Sequence, residues 1–231
     1  MEMERLYPGL AILPIVRVDR KTLEFKQLLG TGFFYGDGKR LLSVAHVLKV
    51  QPEQDEILAV FHAPLGGASA GALPIENVQA SSDYDLAVAE VPQATGFQIL
   101  NIATQDPEGI PILLTYDYST GLRGGWRPDG SQGRRLIPYV WRGTWLATYM
   151  AHEPGMPRPT KIIDVPFPVM QGASGAPVVE EGTRNVVGVL FGNVARQLVP
   201  PPQLAEIGQP WYLPVGQAIH CSHVRDFLLK L

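Results

Sequence analysis

Histidine, aspartate and serine are the side chains that together turn a hydroxyl into a nucleophile, and this chain offers each in a setting that suits the task. Ser174 stands in Val169-Met170-Gln171-Gly172-Ala173-Ser174-Gly175-Ala176-Pro177. A serine hydroxyl attacks poorly at neutral pH unless a base takes its proton and donors meet the developing oxyanion. Glycines beside it let the backbone turn sharply and leave N–H groups open to a substrate oxygen. Leu41-Leu42-Ser43-Val44-Ala45-His46 ends an apolar run with a histidine, the commonest general base. Asp83-Tyr84-Asp85-Leu86-Ala87-Val88 opens another apolar run with a carboxylate that could orient the imidazole. Asp83 and Asp85 lie two residues apart, on one side of an extended chain, so either could do this. The chain order is His, Asp, Ser, and the same constellation on other folds comes in other orders.

In that order the three stretches resemble the chymotrypsin-like serine peptidases, and among them the disulfide-free bacterial branch of high-temperature-requirement type, without a PDZ module. Gly30-Thr31-Gly32-Phe33-Phe34 through His46 is similar to the family's Gly-Ser/Thr-Gly-Phe strand and Ala-Ala-His turn. Asp85-Leu86-Ala87-Val88 is similar to its Asp-Leu-Ala strand, which favours Asp85 over Asp83. Gly172-Ala173-Ser174-Gly175-Ala176-Pro177 is similar to its Gly-Asp/Asn-Ser-Gly-Gly-Pro loop. The resemblance implies an all-β fold of two six-stranded antiparallel β-barrels with a short C-terminal α-helix. Residues 1–95 would form the lobe with His46 and Asp85, and residues 96–231 the lobe with Ser174 and the helix. It further implies an endopeptidase working through an acyl-enzyme, with His46, Asp85 and Ser174 as the triad and the backbone N–H groups of Gly172 and Ser174 as the oxyanion hole.

The resemblance also locates a primary pocket between Pro168, Val169, Met170 and Gln171 on one side and Leu190, Phe191, Gly192 and Asn193 on the other. Phe167 borders the first wall, and Val169 and Leu190 suit a core as well as a lining. Pro168 stands where an Asp would select Arg or Lys, so a small to medium apolar residue is the expected substrate preference. Two departures matter. Ala173 replaces the usual acidic or amide residue and cannot ion-pair with a freed N-terminal amine, so activation by N-terminal cleavage is not expected, and an activating partner, an additional domain or the substrate would order the loop. Ala176 replaces the second glycine after the serine. These departures sustain an alternative: a catalytically silent or latent fold serving as a protein-interaction or sensor module.

Bulk composition agrees with a packed β protein. Of 231 residues, 45% are hydrophobic and 18% charged, which excludes a disordered chain. The 24 glycines and 21 prolines suit turns better than helices. A net charge of −3 gives no reason to expect nucleic acid as a partner, and the arginine-bearing segment 120–135 reads as a solvated loop. No apolar run reaches the roughly 18 residues of a membrane span. The only cysteine, Cys221, allows no intrachain disulfide, and the acidic start carries no signal peptide pattern, so a cytoplasmic, bacterial protein is expected. Scattered histidines and one cysteine give no metal-ligand spacing, so neither metal nor cofactor is expected, and the partner would be a protein or peptide substrate.

Periodicity supplies the frame. Strands are predicted at 10–18, 25–29, 32–35, 40–44, 57–63 and 86–91, then at 110–118, at 136–150 as one or two strands, and at 177–180, 186–191 and 211–215, while residues 161–165 lead toward the serine loop. Gly36-Asp37-Gly38 marks a hairpin. Residues 66–71 read as a glycine-rich loop, 93–104 as a connector between lobes and 199–202 as a stiff proline loop. Ser222 could cap a final helix whose Val224, Phe227, Leu228 and Leu231 share a face.

Overall fold

A computed structural model of the protein describes residues 8–62, 71–119, 122–126, 132–136, 138–153, 156–198 and 211–231. The chain opens with a helical turn, α1 (Pro8–Ala11), followed by β1 (Ile12–Asp19), β2 (Phe25–Tyr35) and β3 (Arg40–Ser43). One turn of helix, α2 (Ala45–Leu48), leads to β4 (Glu56–His62), β5 (Gly71–Pro74), β6 (Glu76–Ala80) and β7 (Ala87–Glu90). These strands form one antiparallel sheet in the order β5-β4-β1-β2-β3-β7-β6. Its two outermost strands, β5 and β6, are separated in the chain only by Ile75. The sheet must therefore roll until its margins meet.

The rest of the chain repeats the arrangement. A short β8 (Asn101–Ile102) precedes β9 (Ile112–Asp117), and a separate hairpin of β10 (Leu122–Trp126) and β11 (Gln132–Leu136) follows. Then come β12 (Tyr139–Thr144), β13 (Ala147–Ala151), β14 (Thr160–Val165), β15 (Pro177–Glu180), β16 (Asn185–Leu198) and β17 (Trp211–His220). The second sheet runs β12-β9-β15-β16-β17-β14-β13, with β8 parallel to β16. Its outer strands, β12 and β13, are separated only by Trp145 and Leu146, so this sheet rolls as well. Counting β5 with β6 and β12 with β13 as single bent strands, each barrel has six strands in the cyclic order 1-2-3-6-5-4. The expected six-stranded barrels thus stand, with one strand of each broken at its bend. Segment 120–135, expected as a loop, contains the β10–β11 hairpin; the expected loops at 66–70 and 199–202 lie outside the described residues.

The two barrels share apolar contacts. Phe33, Phe34, Leu41, Leu42 and Leu86 from the first lie in one cluster with Val179, Val186, Val189 and Ile219 from the second. Full burial of each large side chain contributes about 1.5–3 kcal/mol. The final helix, α3 (Cys221–Leu228), sends Val224 and Phe227 into the same cluster. Its cap is His220 rather than Ser222, because the His220 side chain accepts the Ser222 N–H and the helix starts two residues earlier. Leu231 lies beyond the helix and is exposed.

Candidate active site

His46 sits in α2, the single helical turn that ends β3, with Val47 and Leu48 buried beneath it. Asp85 stands just before β7, which pairs with β3, so the sheet register brings the two residues together. Asp85 uses both oxygens on one residue. Its Oδ2 lies 2.6 Å from His46 Nδ1, and its Oδ1 accepts the His46 backbone N–H at 2.9 Å. A carboxylate so placed fixes the ring and keeps the proton on Nδ1, leaving Nε2 as an acceptor. The His46 side chain is 49% exposed and that of Asp85 only 18%, so the pair is open at the imidazole and covered at the carboxylate. Asp83, the rival carboxylate, is engaged elsewhere. It takes Lys230 Nζ at 2.8 Å and Arg158 Nε at 3.2 Å. The hydrogen bond from Lys230 holds its carboxyl below the usual range.

Ser174 lies where two tight turns join. Ala173 N–H donates to Met170 O at 2.9 Å, and Ala176 N–H donates to Ala173 O at 2.9 Å. The third residue of each turn is a glycine with positive φ: Gly172 at +94° and Gly175 at +90°. That is the signature of type II turns, and it accounts for the spacing of the two glycines around the serine. Gly175 N–H is bonded to Leu190 O at 2.7 Å. Among the hydrogen bonds of the described residues, neither the Gly172 nor the Ser174 N–H donates to the chain. Ala173 and Ala176 are fully buried in the second apolar cluster, so the two departures from the family pattern serve as core residues.

Gly30 is where the serine loop meets the histidine helix. A Cβ there would stand 2.7 Å from Val47 Cγ2 and 2.8 Å from Ser174 O, so only glycine lets both approach β2. Beside it, Thr31 donates its N–H to Ser174 O at 2.9 Å and its hydroxyl to Gly172 O at 2.7 Å. No hydrogen bond joins the Ser174 hydroxyl to His46 in this structure, and such bonds commonly tighten only when substrate arrives. The contributions of Gly30 and Thr31 were not assigned from the sequence, although a Gly-x-Gly inside a strand is itself a sign of close backbone approach.

The expected pocket walls do converge, but not as an open slot. Val169 and Leu190 are core residues, and Phe167 is buried with them. Pro168, Phe191 and Gly192 are half-buried, and Met170, Gln171 and Asn193 are exposed. A register shift lies between Leu190 and Gly192, so Phe191 is an extra residue in β16 and Asn193 shares a sheet face with Leu190. The Asn193 side chain then spans the cleft. Its Oδ1 accepts Val169 N–H and its Nδ2 donates to Val169 O, each at 2.5 Å. Behind it, a Cβ at Gly216 would meet Phe167 O at 2.4 Å.

One group of potential metal ligands, not suggested by sequence spacing, gathers at the start of α3. Ligand atoms of Asp106, His220 and Cys221 lie within 4.8 Å of one another. Lys161 already pairs with Asp106 at 2.9 Å, and Arg225 lies 3.5 Å from Cys221 Sγ. Two cations at the cluster oppose a divalent ion. No helix among the described residues is long and apolar enough to cross a membrane.

The rolled pair of barrels is the fold of the chymotrypsin-like serine peptidases. The Rv3671c protease of M. tuberculosis in its active form superposes with a TM-score of 0.63 at 18% identity, over 96% of this chain and 81% of that one. Its inactive form gives 0.60 at 18% identity, over 96% and 89%. The serine endoprotease from Yersinia pestis gives 0.56 at 19% identity, over 99% and 67%. No curated protein matches the chain in sequence. The trypsin-like peptidase domain family model matches residues 30–189. The chain belongs to that family, and it is a serine-type peptidase.

Proposed function

We propose that the protein is an endopeptidase in which Ser174 is the nucleophile, His46 the general base and Asp85 its orienting partner. The observation that carries this reading is the double engagement of Asp85 with His46, at the Nδ1 and at the backbone N–H. It leaves Nε2 to accept the Ser174 proton as Oγ bonds to the scissile carbonyl carbon. The carbonyl oxygen takes the electron pair and accepts hydrogen bonds from the Gly172 and Ser174 N–H groups. Collapse of this intermediate breaks the C–N bond, and the imidazolium returns its proton to the leaving amine. Water, deprotonated by the same imidazole, then hydrolyses the acyl-enzyme. Each oxyanion donor is worth on the order of 3 kcal/mol. The substrate side chain before the scissile bond is small and apolar: no carboxylate faces the cleft from Pro168, and Asn193 bridges it.

A fluorophosphonate probe tests the assignment. The protein labels, and Ser174→Ala abolishes labelling without unfolding. Folded wild-type protein that never labels overturns the reading in favour of a catalytically silent interaction module.

A further inference from the structure

The buried Ala173 offers the loop before the serine neither an ion pair nor a side-chain hydrogen bond. Something else must hold the turn of residues 170–173. Thr31 is placed to do so. It is fully buried, and every polar atom it has is committed. Its N–H goes to Ser174 O, its hydroxyl donates to Gly172 O and accepts the Tyr118 N–H at 3.3 Å, and its carbonyl accepts the Ser43 hydroxyl at 2.7 Å.

The bond to Gly172 O has a positional consequence. Type I and type II turns differ by rotation of the central peptide, here the one between Gln171 and Gly172. In the type II form Gly172 has positive φ and its N–H stays outside the turn; rotation would put the Gln171 carbonyl where that donor was. The following peptide, between Gly172 and Ala173, is fixed at both ends, by Thr31 at its oxygen and by Met170 O at its N–H. A flip of the central peptide turns about the Cα atoms of Gln171 and Gly172 and leaves this anchored peptide in place, so Thr31 fixes where the turn lies, while Gly172 at +94° marks its form.

We propose that the Thr31 hydroxyl is the positioning group that anchors the oxyanion turn, and with it the Ser174 N–H, against β2. This rests on the reading of Ser174 as the nucleophile. Three variants test it. T31V keeps shape and β-branching but loses the hydroxyl, T31S keeps the hydroxyl, and T31C fills similar space with a weak donor should T31V fail to fold. In T31V, kcat and the fluorophosphonate labelling rate fall about ten- to a hundredfold, as expected when a buried carbonyl loses its partner. KM stays near the wild-type value and T31S restores most of the rate. Amide exchange in residues 170–175 accelerates in T31V and not in T31S, while the rest of the chain keeps its protection. Wild-type kcat in T31V, a loss that T31S does not repair, or unchanged exchange in residues 170–175 overturns the proposal. If the wild-type protein itself neither cleaves nor labels, the catalytic reading falls, and the exchange comparison still decides what Thr31 holds.

Discussion

The Asn193 bridge makes a quantitative statement about selectivity. A large side chain entering the cleft must break both hydrogen bonds between Asn193 and the Val169 backbone. Net protein hydrogen bonds are worth about 0.5–1.5 kcal/mol each, so opening costs about 1–3 kcal/mol. A substrate with alanine before the scissile bond need not meet that cost. Asn193→Ala removes the bridge, and the ratio of kcat/KM for a leucine substrate to that for an alanine substrate should rise about 5- to 150-fold. The assay is a set of peptides identical except at that residue, with Ala, Val, Leu, Phe and Arg compared in both proteins. The Arg peptide stays poor in both, since the variant introduces no negative charge. An unchanged leucine-to-alanine ratio would show that Asn193 does not gate the cleft, and the small-residue preference would lose its structural basis.

Two further predictions concern the loop and the helix cap. A methyl group at Gly175 would stand 2.0 Å from Ser43 Oγ and 2.2 Å from Thr31 O, at φ +90°; Gly175→Ala should lower stability by about 2–5 kcal/mol in urea unfolding and abolish cleavage. Gly182→Ala has open space around it and carries only backbone strain, about 1–2 kcal/mol, so equal losses for the two would refute the packing argument. Burial lowers the affinity of His220 and His223 for protons, and each accepts a backbone N–H, from Ser222 and Lys161 respectively. The unfolded chain therefore binds more protons than the folded one below the ordinary histidine range, near pH 6.5, and stability falls as pH drops through that window. Urea unfolding at neutral and mildly acidic pH should show this, and His220→Asn, which retains a capping side chain, should flatten the dependence; an unaltered slope would assign it to other groups.

Much of the frame was legible because its signals are local. β1, β3, β4, β7, β9 and β15 fall where apolar runs predict them, and the turn at Gly36 and Gly38 has the positive φ its glycines suggest. β6 was not legible, since every residue in it is exposed and no alternation marks it. β16 and β17 run longer than predicted because each finds its partner in the other rather than in its own hydrophobicity. At the site, residue types and chain order pointed to His46, Asp85 and Ser174. The Asp-Leu-Ala resemblance favoured Asp85 over Asp83, but what occupies Asp83 was not local: Lys230 and Arg158 reach it from distant parts of the chain. The Asn193 bridge depends on a bulge at Phe191 that no periodicity announces.

Rolling each sheet until its outer strands become chain neighbours has a consequence for solubility. An open sheet offers a bare backbone ladder along each border, onto which a second molecule can add and begin a fibril. Here Ile75 joins the borders of one sheet and Trp145 with Leu146 those of the other, so among the described residues the two rolled sheets display little template for stacking. Unwinding at either seam would uncover two borders at once, which makes these short joints guardians against aggregation as much as connectors.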